Sequence, residues 1–191
     1  YVTVEGGSAF SGSSTTHITG AGVNIQTGLG LGTGSAADLT FSTSATSSVA
    51  SVYHTLPQRM IIKGQTGFVG IGTSTPSASL HVSGAFLGYP VTVPTASGTA
   101  SLDCNLGNFF NLTLSSSYTL FLSASNVQPG QTINLRVTQP AISGSLNYGS
   151  QFKFAGGIPY SASATGSAVD IISFITFDTT NLYGSAIKNL S

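Results

Sequence analysis

Five carboxylates, three histidines and one cysteine are the side chains in this chain best suited to acid–base, metal-binding or nucleophilic chemistry. The acids are Glu5, Asp38, Asp103, Asp170 and Asp178. A glycan hydrolase needs two carboxyl groups roughly 5–10 Å apart. Asp170 and Asp178 flank one apolar stretch, and an extended strand of that length would hold them ~26 Å apart. That is too far for a retaining or an inverting pair within one chain. A pair assembled from two subunits stays open. The plain reading is that these acids cap turns and strand ends, with Asp178–Asn181 a turn whose side chains bond nearby backbone.

His17, His54 and His81 are isolated, with no second ligand at metal spacing. Cys104 has no His–Asn or His–Asp context for nucleophilic catalysis, and its default role is a small buried hydrophobe. Being single, it forms no intrachain disulfide. Residues 28–34 (GLGLGTG) look like a phosphate-binding loop, but no strand–loop–helix frame surrounds them. We therefore expect no enzyme and no cofactor. Binding remains, and aromatic side chains beside Gly/Ser-rich turns suit it because they offer rigid apolar faces at small entropic cost. Tyr148, Tyr160 and Tyr183 are the candidate receptor-contact residues, with a place in the core or a subunit interface as the alternative for each. The loops 143–150 and 156–166, rich in Gly, Ser and Tyr, are the expected binding loops.

The composition limits the partners. Only 5% of the 191 residues are Asp, Glu, Lys or Arg, against roughly 25% in ordinary soluble proteins. A compact monomer of this mass would expose ~8,500 Å², more than ten charges can solvate. Ser, Thr, Gly and Asn must take their place, or part of the surface must be covered in an assembly. The formal net charge is zero, so no electrostatic footprint for nucleic acid exists. No apolar run approaches the ~20 residues of a membrane-spanning helix. Disorder is excluded on composition: disordered chains combine low hydrophobicity with high net charge, whereas this chain is 40% hydrophobic and neutral. The opening at Tyr1, within a strand-like YVTV, reads as the interior of a longer protein.

Short alternating runs punctuated by Gly, Pro, Asn and Ser predict an all-β protein. Over residues 1–86 the apolar residues come as couplets, such as Val23/Ile25, Leu39/Phe41, Met60/Ile62, Val69/Ile71 and Leu80/Val82. Strands this brief bury little area alone and need stacked or intertwined neighbours. We read 1–86 as an interwoven shaft or small trimerisation domain, packed through Val69, Ile71, Leu80 and Val82. The intervening glycines would let backbones close on a common axis. Tyr89-Pro90 and Val93-Pro94 bracket the expected boundary. Residues 87–191 predict longer strands at 109–114, 118–122, 132–138, 151–154, 169–177 and 181–188, with Pro129-Gly130 as a hairpin turn. The expectation is an antiparallel β-sandwich of jelly-roll type.

The segment 67–82 (GFVGIGTSTPSASLHV) resembles the GNVGIGTTSPxxKLHV signature common in tail fibres and other host-recognition fibres of bacteriophages. Phe68 departs from the usual Asn-Val start, and Ser79 stands where Lys is common. Segments 127–139, 169–178 and 182–184 are similar to terminal head domains of such fibre proteins. The resemblance implies a homotrimeric structural protein of the virion that attaches to a host-surface glycan or protein through its C-terminal domain. Other virion proteins would hold it through an N-terminal anchor. In such a trimer three copies of His81 would meet at the axis, and an ion there is the alternative to a solvated histidine. A capsid decoration or vertex fibre is the runner-up reading. Less favoured are a carbohydrate-binding module of a secreted protein, which predicts a monomer, and a depolymerising tailspike, which requires clustered carboxylates.

Overall fold

The computed structural model describes residues 35–43, 55–96 and 98–190. The protein is all-β, with fourteen strands and one 3-10 turn among these residues. The chain divides into two compact units, Tyr1–Phe86 and Leu87–Ser191. Glu5, His17, His54, the couplet Val23/Ile25 and the glycine run 28–34 lie outside the described residues.

In the first unit, β1 (Leu39–Ser42), β2 (Gln58–Ile62), β3 (Val69–Ile71) and β4 (Leu80–Val82) form one four-stranded sheet in chain order. The registers align Leu39, Ile62, Val69 and Leu80 in one row, and Phe41, Met60, Ile71 and Val82 in the next. Directly opposed residues share a face, so eight apolar side chains lie on one side. The other side carries Thr40, Ile61, Gly70 and His81. Strands β3 and β4 run parallel, and the crossover 72–79 covers that second side. Ile61 is buried beneath it. A side-chain carbon at Gly70 would meet the Thr73 carbonyl oxygen at 2.5 Å and Ile61 Cγ2 at 3.0 Å. The glycine is thus required by the chain's own crossover. This local reason is sufficient for the glycine within one chain.

The second unit packs two sheets face to face. One has the order β12-β14-β13-β10-β8-β5, the other β11-β9-β7-β6. Their strands are β5 (Pro90–Thr92), β6 (Thr95–Ala96), β7 (Thr99–Asp103), β8 (Phe109–Thr113), β9 (Leu120–Ser125), β10 (Thr132–Thr138), β11 (Leu146–Tyr148), β12 (Phe152–Phe154), β13 (Val169–Thr176) and β14 (Leu182–Ile187). Leu102, Leu120 and Leu122 from the smaller sheet meet Phe110, Leu112, Ile133, Leu135, Ile172 and Phe174 from the larger in one buried cluster.

The expected antiparallel, jelly-roll pairing is corrected here: both sheets are mixed. β7/β9, β9/β11, β8/β10, β5/β8 and β12/β14 are parallel pairs. The cause is the way the chain alternates between sheets. From β7 to β12 each strand crosses to the opposite sheet, so β7/β9, β9/β11 and β8/β10, each two apart in sequence, meet side by side running the same way. Pro129-Gly130 accordingly makes no hairpin. Its turn, closed by Gln131 N–H donating to the Gln128 carbonyl, carries the chain from β9 in one sheet to β10 in the other. Direct hairpins join β6 to β7 and β13 to β14. The proline pair expected to bracket the boundary belongs to the second unit, with Pro90 opening the edge strand β5, a place where a missing N–H costs little.

Gly184 on β14 pairs with both Phe154 and Phe174, and a side-chain carbon there would lie 2.6 Å from the Phe174 ring. Overpacking of this kind costs about 1–3 kcal/mol. Gly184→Ala should lower the urea midpoint accordingly, while Ser185→Ala, on the exposed side of the same strand, should leave it within experimental error.

Candidate functional site

Each described acid accepts hydrogen bonds from neighbouring backbone or side chains. Asp178 accepts from the N–H groups of Thr180 (2.7 Å) and Asn181 (2.6 Å) and from Asn181 Nδ2 (3.0 Å), fixing the β13–β14 turn. These bonds hold its carboxyl below the usual range. Asp103 accepts from Asn105 N–H and Asn126 Nδ2. Asp38 pairs with Lys63 at 2.6 Å and receives the Gly64 N–H, bonds that lower its carboxyl as well. Asp170 and Asp178 stand at opposite ends of β13, and the fold does not bring them together. Cys104 is buried against the core, and burial pushes its thiol up to about 11.

Asp170 does more than end a strand. It lies on the inward face of β13 and is fully buried. Its Oδ2 accepts from Ser163 N–H (2.7 Å) and the Tyr160 hydroxyl, and its Oδ1 from Ser163 Oγ (2.7 Å) and Asn189 N–H (2.8 Å). Burial alone would raise the pKa, but the donors outweigh it and leave the carboxyl below its ordinary value. One carboxylate thus ties the loop 160–163 and the chain's final residues to the core. Gln139, also buried, does similar work beside it. Its Nε2 donates to the carbonyls of Gly144 and Ser163, and its Oε1 accepts from Gly144 N–H.

These two residues bring together the loops nominated from sequence. A polar cleft of about 350 Å³ lies between them, lined by Ser143, Ser145, Asn147, Ser161 and Ala164 among others. Tyr148 and Tyr160, by contrast, are drawn inward. Tyr148 makes edge contacts with Phe152, Phe154 and Tyr160, at centroid separations of 5.0–6.4 Å. Both tyrosines pack on the core cluster. Burial raises both phenols, helped at Tyr160 by its hydrogen bond to Asp170. The Lys188 ammonium sits 5.4 Å from the centroid of the Tyr160 ring. Their role is to support the loops rather than to present an open aromatic face.

Tyr183 is different. It is on the outer face of β14, 44% exposed, and forms an edge-to-face pair with Phe177 at 5.9 Å; Phe177 is 74% exposed. A shallow groove runs beside it along Lys153, Ser173, Ile175 and Ser185. Lys153 also lines a polar cleft of about 380 Å³ with Asn126, Gln151, Thr179, Thr180 and Asn181. Phe177, expected only as the end of the strand 169–177, lies just beyond β13, and its parity with Ile175 places it outward.

Of the packing residues nominated in the first unit, Val69, Ile71, Leu80 and Val82 all lie on the eight-residue apolar face. Ile71 is 43% and Leu80 58% exposed. His81 lies on the opposite side, its Nδ1 3.4 Å from the Ser77 nitrogen. The ring thus faces the chain's own crossover, which does not fit the axial ion site. Among the described residues no group of three or more His, Cys, Asp or Glu could hold a metal, and no helix is long and apolar enough to cross a membrane. No family model matches the chain, and no curated protein or solved structure matches it either.

Because the Asp170 carboxyl is depressed by folding, its contribution is complete above the ordinary aspartate value of about 3.9 and is lost as pH falls through the lower folded value. Asp170→Asn should cost about 1.5–3 kcal/mol at neutral pH, the worth of hydrogen bonds to a charged group. In urea titrations from pH 2 to 7 the gap between parent and variant should be constant above pH 5 and narrow in the acid limb.

Proposed function

We propose that this chain is a structural subunit of a bacteriophage tail fibre or spike, which attaches the virion to its host by non-covalent, multivalent contacts. The observation that carries the reading is the apolar face of the first unit. Eight side chains in two cross-strand rows lie on the side that the crossover 72–79 leaves uncovered. Three of them, Phe41, Ile71 and Leu80, are more than two-fifths exposed. Soluble monomers rarely expose contiguous apolar patches of this kind, and further copies of the same chain are the natural cover. The resemblance of residues 67–82 to fibre signatures selects a homotrimer, interwoven as a shaft through Val69, Ile71, Leu80 and Val82.

The second unit supplies what attachment needs. Its core is full, its loops are pinned by Asp170 and Gln139, and its surface carries little charge. Each described acid is held by donors that fix backbone or neighbouring side chains, which favours binding over catalysis. Three sandwiches on one fibre would turn weak contacts with a host glycan or protein into firm attachment through effective concentration.

Size exclusion with light scattering should give a mass near three times that of the 19.3 kDa chain. Ile71→Lys and Leu80→Lys, each placing an ammonium on the apolar face, should shift the mass toward the single chain and lower the melting temperature of the first unit. A parent protein that runs as a monomer with a cooperative melt of both units would defeat the proposal.

A further inference from the structure

The turn between β13 and β14 places an exposed aromatic pair beside a polar cleft, and we propose that this is a binding site for an uncharged saccharide. The inference rests on the attachment reading and specifies the chemistry of its ligand. Three features carry it.

The first is the platform. Phe177 and Tyr183 stand on either side of the 178–181 turn and hold each other edge to face. Ile175, directly opposite Tyr183 in the β13–β14 register, is 49% exposed and widens the apolar surface. An aromatic face with an aliphatic margin matches the C–H face of a pyranose ring, which is apolar and rigid. The pair is held from behind, because Asp178 clamps the turn with three hydrogen bonds. Little ordering remains for a ligand to impose.

The second is the cleft. Thr179, Thr180 and Asn181 belong to that same turn and line it together with Asn126 and Gln151. The amide nitrogens of Asn126 and Asn181 donate to Asp103 and Asp178, and neither carbonyl oxygen accepts a bond from another described residue. Amide carbonyls and threonine hydroxyls are the groups that pair with sugar hydroxyls, each of which both donates and accepts. Lys153 lies where groove and cleft meet, so one ligand can lie across both.

The third is charge. The Lys153 ammonium donates to the Ser150 carbonyl at 2.6 Å and lies close enough to Asp178 to help hold that carboxyl down, so its charge is balanced at the edge of the site. A neutral ligand is therefore matched better than a phosphate, a sialic acid or a basic peptide. Neutral recognition also carries no electrostatic steering, so affinity should change less than about twofold between 20 and 500 mM salt.

The test is saturation-transfer NMR on the full chain with glucose, galactose, N-acetylglucosamine and N-acetylgalactosamine as separate probes at about 10 mM, a range suited to millimolar affinities. Irradiating aromatic protons should transfer saturation to the ring protons of at least one probe. Phe177→Ser and Tyr183→Ser should each weaken the transfer by about tenfold, the loss of one aromatic face. Asn181→Ala should weaken it while leaving the aromatic protons in place. Transfer to none of the four probes, or transfer unchanged in both aromatic variants, would overturn the inference. So would a fall in oligomeric mass on Phe177→Ser or Tyr183→Ser with the sandwich still folded, since the patch would then be a contact between chains. The mass of the parent sample reports on assembly separately: a trimer that takes no sugar removes this site alone, and a monomer removes the assembly reading.

Discussion

The register between β10 and β13 sets the rest of the second unit. Seven residue pairs, from Thr132–Ile175 to Thr138–Val169, align the two strands without a bulge. Because side chains alternate, this single alignment settles which residues go where. Ile133, Leu135 and Val137 face Ile172 and Phe174 in the core. The same parity carries Gln139 and Asp170 inward at one end of the pair, where they become the anchors of two loops. It carries Ile175 and Phe177 outward at the other end. A slip of one residue would exchange these roles throughout, placing an unpaired carboxylate on the surface and aromatic side chains in the interior.

The first unit meets the opposite constraint. Among the described residues its sheet has four short strands, and the crossover 72–79 covers one side of it. Gly70 allows that crossover to lie against Ile61, which completes the thin interior available to the chain. The two units thus differ in what they enclose. The second buries a cluster between two sheets, and the first, among its described residues, buries Ile61 alone among the large apolar side chains.

Much of this was legible beforehand where period and position spoke together. The strands at 132–138 and 169–176 follow from alternation bounded by turn residues, and Asp178 followed from the turn chemistry of its own segment. Asp170 and Gln139 were legible in principle: each continues an inward-facing parity, and a polar group so placed must find partners. The partners themselves, Ser163, Gly144 and Asn189, were not legible, because they come from loops whose course depends on tertiary packing. The antiparallel expectation failed for a related reason. Alternation tells which face a residue takes and says nothing of which strand lies beside it. β5, β6, β7 and β11 escaped notice: three of them have only two or three residues, and β7 carries a single large apolar side chain, Leu102, too little pattern to register.

The strand order has a consequence for how the chain reaches its native state. β12 touches β14 alone within its sheet, and β14 lies some thirty residues later. β9 likewise waits between β7 and β11, and β8 between β5 and β10. Few of these pairings join consecutive strands, so most of the loop-closure entropy is lost before the contacts that offset it have formed. The β13–β14 hairpin is the best-placed local nucleus, yet it follows every other strand of the unit in sequence. β12 therefore emerges without its partner, and the larger sheet is completed only once Leu182–Ile187 has been synthesised. The same topology works in reverse after folding. No strand in the middle of either sheet can leave without parting from neighbours on both sides, and the barrier that slows formation also slows loss.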